Sequence, residues 1–409
     1  MTPSVIPDDP LAPISGSERI VSLDIIRALA LFGVLLMNIP NFSGASALAT
    51  LGKPVAAGLL DAWISGLTKI LVSGKAMSCF AMLFGIGLFI QFDRAEAKGI
   101  SPGRFALRRL GGLLLIGIAH RVLVWEGDVL SVYALVGFAL LPLVRSRPRT
   151  FLLVGLGAFA LSDALFLLLR VLHAPAGLNT FHWAEANARV AEVVCGQGSW
   201  LSATAWRLSM WGSLEVPAFY LASVPFVMPL FMVGAMLWRL GIPKAAPDQG
   251  PRLSAWFHRT VWIGLALSII AADPLKLIPE LWKKAWEGMP WLYFSDTGAF
   301  LLAIGYFIGL LRMLARPRWA ARLSVLAPMG RMALTNYLTQ SLVWTWIFYR
   351  QGLGLWGKAG PTTLLLCTLA FYALQVAWSR WWLARFKFGP AEWLWRSMTY
   401  GKWQPLRLE

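Results

Sequence analysis

Ten apolar stretches punctuate this chain of 409 residues, most of them long enough to cross the ~30 Å hydrocarbon core of a bilayer as a helix. They run from Ile20 to Ile39, Leu71 to Phe92, Leu110 to Trp125, Val129 to Val144 and Phe151 to Leu169. The series continues with Val216 to Trp238, Val261 to Leu277, Tyr293 to Leu311, Leu323 to Tyr349 and Thr362 to Trp382. A soluble fold has no place for so much apolar surface. Only 14% of the residues are charged and 57% are hydrophobic, whereas soluble domains carry about 25% charge. The expected fold class is therefore all-α, a polytopic integral membrane bundle of about ten transmembrane helices. Twenty-two tryptophans suit a chain whose helix ends meet the membrane–water interface.

Charge gives the bundle a direction. With the N-terminus placed inside, and Arg121, Lys276 and Arg380 at span ends counted with the nearer side, the even-numbered connections and both tails hold 23 Lys and Arg against 11 in the odd-numbered connections. Cationic residues concentrate on the cytoplasmic side of membrane proteins, so both termini are expected in the cytoplasm and the chain in the inner (plasma) membrane. The same retention accounts for a net charge of +17 without nucleic acid as a partner. Three domains are expected: a disordered, proline-rich cytoplasmic tail at 1–19, the transmembrane helical domain at 20–385, and an interfacial amphipathic tail at 386–409. Leu59 to Lys69 is amphipathic and reads as an interfacial helix before the second span. Cys79, Cys195 and Cys367 lie far apart without metal-ligand spacing, so no metal site is expected.

A charge inside a span costs about 2.5 kcal/mol or more and needs a partner or a task. Asp24 and Arg27 are three residues apart on one helical face, either a self-neutralising pair or part of a polar chamber. Asn38 lies near the outer end of the same helix, where it caps, bonds a neighbour or takes part in chemistry. His120 is deep in the third span, with Arg121 beside it and Glu126 and Asp128 just beyond. An imidazole moves protons near neutral pH, and a neighbouring carboxylate fixes its tautomer. A continuous helix would leave Asp128 about 12 Å from His120, so Gly127 must turn the chain back or another helix must supply the partner. Arg331, Thr335, Asn336, Gln340 and Ser341 give the ninth span a wet flank. Arg331 has two expected partners, Asp24 or an anionic ligand, which its fork fits well. The tail around Trp393, Trp395 and Arg396 reads as an interfacial helix, an anchor or a lid. The sequence has no Walker A, Rossmann, HExxH, GxSxG or HxxxxD pattern, which counts against ATP-driven transport and against zinc or serine hydrolysis.

Five blocks carry a resemblance. Arg19-Ile-Val-Ser-Leu-Asp-Ile-Ile-Arg27 through Asn38, Leu83-Phe-Gly-Ile-Gly87, His120 with Trp125-Glu-Gly-Asp-Val-Leu130, Gly330-Arg-Met-Ala-Leu-Thr-Asn-Tyr-Leu338 and Gly389-Pro-Ala-Glu-Trp-Leu-Trp-Arg396 together resemble the bacterial YeiB family (domain of unknown function 418). The first block departs from the family in having Ala28 where a glycine is usual. That family is similar to a wider group of membrane acyltransferases, which pass an acyl group from cytoplasmic acyl-CoA to a sugar hydroxyl or amine at the other face. Taken with the polar residues above, an enzyme of this kind would have His120, Asn38, Glu126 and Asp128 as its expected catalytic set. Its expected binding set is Asp24, Arg27, Arg331, Thr335, Asn336, Gln340 and Arg396. Asn38 matches an asparagine of the heparan-type enzymes, but their histidine soon after it has no counterpart in residues 39–70, so His120 would serve from another helix. Acyl-CoA is the implied co-substrate, with no covalently bound cofactor. The expected partners are the lipid bilayer and a carbohydrate or lipid acceptor, and a homodimer is left open. Two rival readings use the same residues: a proton-coupled transporter of a small anionic solute, and a non-catalytic membrane protein.

Overall fold

A computed structural model describes residues 20–55, 58–97, 99, 102–173, 180–213, 215–243, 250–272 and 290–408. The tail expected at 1–19 lies outside the described residues, as does the end of the seventh expected span. Among the described residues the protein is all-helical. Seventeen α-helices are described: α1 Val21–Phe42, α2 Ala45–Thr50, α3 Leu59–Leu71, α4 Lys75–Ala97, α5 Pro102–Leu123, α6 Leu130–Leu140, α7 Pro148–His173, α8 Thr180–Gly196 and α9 Trp200–Gly212 open the series, and α10 Glu215–Arg239, α11 Gly250–Ala272, α12 Pro290–Leu314, α13 Pro317–Leu323, α14 Ala327–Arg331, α15 Ala333–Phe348, α16 Pro361–Leu383 and α17 Pro390–Tyr400 complete it.

Among the described residues, six helical stretches are long and apolar enough to cross a membrane: Val21–Phe42, Leu59–Ala97, Val216–Arg239, Leu253–Ala272, Asp296–Leu314 and Pro361–Leu383. Leu130–Leu143 and Pro148–Ser162 are shorter apolar helices. The other two expected spans differ for physical reasons. The third falls within α5, whose Arg104, Arg108, Arg109, His120 and Arg121 dilute its apolar character. The ninth is broken: α13, a turn of 3₁₀ helix, α14 and α15 follow one another between 317 and 348. Leu152, Leu153, Leu156, Trp262, Ile263 and Leu374 are exposed, as expected of side chains whose solvent is lipid. The chain is a multi-pass membrane protein.

α1 is the hub, packed against α4, α14, α15 and α16. Leu23, Ile25, Ile26, Ala28, Leu31 and Leu35 are buried against its neighbours. Helices in lipid gain no hydrophobic energy by meeting, so close contact depends on small residues that let backbones approach. α4 and α10 meet in this way. A Cβ at Gly85 would stand 2.2 Å from the Phe231 carbonyl oxygen, and one at Gly234 would stand 2.0 Å from that of Met82. Gly87, two residues further along and so on the opposite face of the same helix, has open space around its Cβ position.

This contrast within one helix is testable. Gly85→Ala should lower the melting temperature of purified protein, at a cost of about 1–3 kcal/mol for overpacking. Gly87→Ala should be neutral, or stabilising by up to about 1 kcal/mol, because alanine is the better helix former.

Candidate functional site

The third span ends where its carbonyls find partners. α5 stops at Leu123, and Trp125 N–H bonds back to the His120 carbonyl at 3.0 Å. Arg207 Nη1 donates to the Val122 carbonyl at 2.8 Å and Trp200 Nε1 to that of Leu123 at 2.9 Å. Donors thereby close the C-terminal end of α5. The chain then reverses through Glu126-Gly127-Asp128 into α6. Asp128 Oδ1 lies 2.9 Å from His120 Nδ1, where an unbroken helix would hold the pair about 12 Å apart. Gly117 allows this fit: a Cβ there would sit 2.4 Å from Ser131 N and 2.9 Å from Asp128 Oδ2.

The second oxygen of Asp128 is also engaged. It accepts from Ser131 N–H at 2.9 Å and Ser131 Oγ–H at 2.7 Å, and Tyr220 donates to Ser131 Oγ at 2.9 Å. His120 and Asp128 are 4% and 1% exposed, and the opposite ring nitrogen, His120 Nε2, is buried without a hydrogen-bond partner. A carboxylate on Nδ1 selects the tautomer whose Nε2 carries the lone pair. Tyr337 packs beside the imidazole, with ring centroids 5.4 Å apart. Arg121 Nη1 reaches the Asp128 carbonyl at 3.3 Å, and its guanidinium lies over the rings of Phe219 and Tyr220. Glu126 faces Arg207 instead, with Oε2 3.7 Å from Nε. Burial pushes the Glu126 carboxyl up, and Arg207 opposes that shift.

A second set of polar groups gathers where α1 begins. Arg27 Nη1 donates to Asp24 Oδ1 at 2.6 Å and reaches the Gly330 carbonyl at 3.4 Å. Gly330 presses on α1 so closely that a Cβ would be 1.8 Å from the Asp24 carbonyl oxygen. The helix breaks just after it, at Met332, and the freed amides need acceptors. Glu392 of α17 supplies them: Oε1 accepts from Leu334 N at 2.7 Å and Thr335 N at 3.1 Å, and Oε2 from Thr335 Oγ1 at 2.5 Å. Thr335 Oγ1 in turn accepts from Ala391 N at 3.0 Å, so each helix caps the other. Burial pushes the Glu392 carboxyl up while these bonds hold it down. Trp395 completes the docking of α17, its Nε1 2.7 Å from the Arg109 carbonyl and its ring 3.7 Å beneath the Arg109 guanidinium. Arg396 lies over Phe388.

The two sets border one cavity of about 560 Å³. Asp24, Arg27, Arg109, Arg331, Glu392 and Arg396 line it towards the start of α1, while Asn38, Gly127 and Asp128 line it further along, with Tyr337 also on the wall. His120 stands behind Asp128 and Tyr337 rather than on the wall itself. The remaining residues singled out in the ninth span lie off the wall, between helices. Asn336 Nδ2 donates to Ser379 Oγ at 3.0 Å, Gln340 Nε2 to Gln375 Oε1 at 2.9 Å, and Thr335 holds Glu392. Ser341 donates to the Tyr337 carbonyl at 3.4 Å.

The comparisons with known proteins give this architecture a family. A model described as "Protein of unknown function (DUF418)" matches residues 237–402. The chain is 33% identical to a Bacillus subtilis (strain 168) protein called "Uncharacterized protein YxaH", over 97% of this chain and 98% of that one. It is 31% identical to "Uncharacterized protein YeiB" of Escherichia coli (strain K12), over 93% and 96%. This chain belongs to the YeiB (DUF418) family. No solved structure matches it.

Sequence reading did not single out several residues that complete the site in this YeiB-family chain. Arg109, Tyr337 and Glu392 line the cavity, and Ser131, Tyr220 and Arg207 hold the groups around His120 and Glu126. For Tyr337 and Glu392 a signal existed, since both stand inside the blocks that carry the family resemblance. Arg207 is isolated in sequence, and only the fold brings it to the end of α5.

The carboxylate between His120 and Ser131 should be the most sensitive point of this network. Asp128→Ala leaves three donors without their acceptor and should cost about 2–3 kcal/mol, whereas Ser131→Ala should cost about 1 kcal/mol. Thermal unfolding in nanodiscs would rank the two, and an equal or reversed order would mean that Asp128 does not organise the network.

Proposed function

We propose that this protein is a bacterial inner-membrane acyltransferase that moves an acyl group from cytoplasmic acyl-CoA to a sugar or lipid acceptor at the outer face. The reading has the chain crossing about ten times with both termini in the cytoplasm, so that the arginine-rich mouth of the cavity faces the cytoplasm. The observation that carries it is the buried His120–Asp128 pair, with Nδ1 held by a carboxylate and Nε2 left without a partner. That is the arrangement of a general base whose tautomer is fixed.

In this reading Arg27, Arg109, Arg331 and Arg396 receive the phosphates of CoA, for which guanidinium forks are well shaped. These four guanidiniums lie on the same part of the wall, together with the carboxylates of Asp24 and Glu392. The acceptor hydroxyl or amine meets the thioester carbonyl near Asn38 and Tyr337. Tyr337, on the wall, moves aside to open His120 Nε2 behind it, and this nitrogen takes the acceptor's proton as the acceptor's oxygen or nitrogen bonds to the acyl carbon. The carbon–sulfur bond then breaks, and the imidazolium returns that proton to the departing thiolate. The products are the acylated acceptor and CoA thiol. Asn38 supplies a donor to the oxyanion that forms in between. Asp128 stabilises the imidazolium, and Glu126 with Arg207 borders the acceptor side.

The test uses full-length protein in nanodiscs with a series of acyl-CoAs, reading binding by calorimetry and transfer or hydrolysis by release of CoA thiol. Arg331→Ala should weaken binding about tenfold or more. His120→Ala should leave binding intact and lower turnover by about 10²–10⁴-fold, the usual weight of a general base. Absence of binding by any acyl-CoA would overturn the reading and leave transport of an anionic solute through the same residues as the better account.

A further inference from the structure

The imidazole of His120 is the last member of a hydrogen-bonded chain that begins on another helix. Tyr220 of α10 donates its hydroxyl to Ser131 Oγ at 2.9 Å, Ser131 Oγ–H donates to Asp128 Oδ2 at 2.7 Å, and Asp128 Oδ1 lies 2.9 Å from His120 Nδ1. Both hydroxyls point their protons towards the carboxylate. A chain of this kind is polarised along its length, each bond strengthening the next. The Ser131 amide adds a donor at 2.9 Å, so with His120 three donors share the charge of one buried carboxylate. Arg121 holds the first member in place. Its guanidinium lies 4.2 Å from the ring centroid of Phe219 and 5.3 Å from that of Tyr220, and a cation over a phenol ring draws charge from it and makes its hydroxyl the better donor. Tyr220 also neighbours Phe219 and Ser223 on α10, both of which line the cavity.

We infer that Tyr220 is a positioning residue for His120, acting through Ser131 and Asp128 on how firmly the imidazolium is held. This inference rests on the reading of His120 as the general base and adds a residue on α10 that sets its strength. Each hydrogen bond that Asp128 accepts at Oδ2 spreads its charge and leaves less for the hydrogen on His120 Nδ1. Without the Tyr220 hydroxyl the Ser131 bond weakens, charge concentrates on the carboxylate, and its hold on the imidazolium tightens. Loss of the Ser131 hydroxyl acts in the same direction and more strongly. A base that holds its proton too firmly is slow to return it to a thiolate. Facing the pair from its neighbours are Arg121 of α5, Glu126 with Arg207 of α9, Tyr133 of α6 and Tyr337 of α15. These groups bypass Ser131: Arg121 reaches the Asp128 carbonyl, Glu126 faces Arg207, Tyr133 donates to the Met77 carbonyl at 3.2 Å, and Tyr337 packs beside the imidazole.

The experiment follows the NMR signals of isotope-labelled histidine across pH in full-length protein in nanodiscs, with no donor or acceptor present. The His120 signal is the one missing from His120→Ala. Its pH midpoint should rise by about one unit in Ser131→Ala, from the loss of one hydrogen bond to a charged group, and by about 0.3 unit in Tyr220→Phe, from the loss of polarisation alone. Tyr133→Phe removes a neighbouring phenol hydroxyl that stands outside the chain, and should leave the midpoint where it is. A Tyr220→Phe midpoint that does not move, or that Tyr133→Phe reproduces, would overturn the inference whether or not Ser131→Ala folds. Because the measurement uses no acyl-CoA, its failure is distinct from that of the acyltransferase reading, which falls when no acyl-CoA binds.

Discussion

The carboxylate of Glu392 holds together the part of the structure on which the cavity depends. A helix that breaks inside a bilayer leaves amide groups that no lipid can satisfy. The break at Met332 leaves the N–H groups of Leu334 and Thr335 at the start of α15, and Glu392 accepts from both. The bond from Ala391 N–H to Thr335 Oγ1 returns the favour to α17. Because the two caps are reciprocal, the ninth segment can bend only where the C-terminal helix is docked, and that helix can dock only where the segment bends. Trp395 and Arg396 reach the cavity as a consequence.

The break also determines what α1 can do. With α14 separate from α15, Gly330 lies flat on the backbone of Asp24 and brings its carbonyl within reach of Arg27. Asp24 and Arg27 therefore answer both alternatives that their spacing left open. They neutralise each other at 2.6 Å, and they also line the cavity. At the other polar cluster the same economy applies. Gly117 has no side chain, so the loop through Asp128 settles on α5 and the carboxylate meets the imidazole within hydrogen-bond distance.

Much of this was legible from residues alone, and the limits follow from range. The all-helical membrane fold, the Asp24–Arg27 pair and the candidate reversal at Gly127 come from apolar length, three-residue spacing and helical rise, which are local quantities. The reversal itself was one of two possibilities until Asp128 was found 2.9 Å from His120. The ninth span reads as one continuous helix from Leu323 to Tyr349 because nothing between Gly330 and Ala333 forbids it. Its break is set by Gly330 against α1 and by an acceptor 58 residues away in sequence. Polar residues at i and i+4 reveal a wet flank but not what wets it. Asn336 and Gln340 turn to Ser379 and Gln375 of α16, whereas Tyr337, which the pattern did not mark, faces the cavity and the imidazole.

Depth then connects the polar groups to a direction of chemistry. Guanidiniums suit anions, and in the proposed reading the four that border one region of the cavity meet a ligand that brings several negative charges. The imidazole is kept away from that region, behind Asp128 and Tyr337, where a general base would not be neutralised by the same anion or exposed to bulk water. The apolar wall lies between the two and sets their separation. A single cavity that is cationic where it begins, apolar in its middle and bordered by an imidazole–carboxylate pair beyond has a physical reason for each part if one molecule extends through all three.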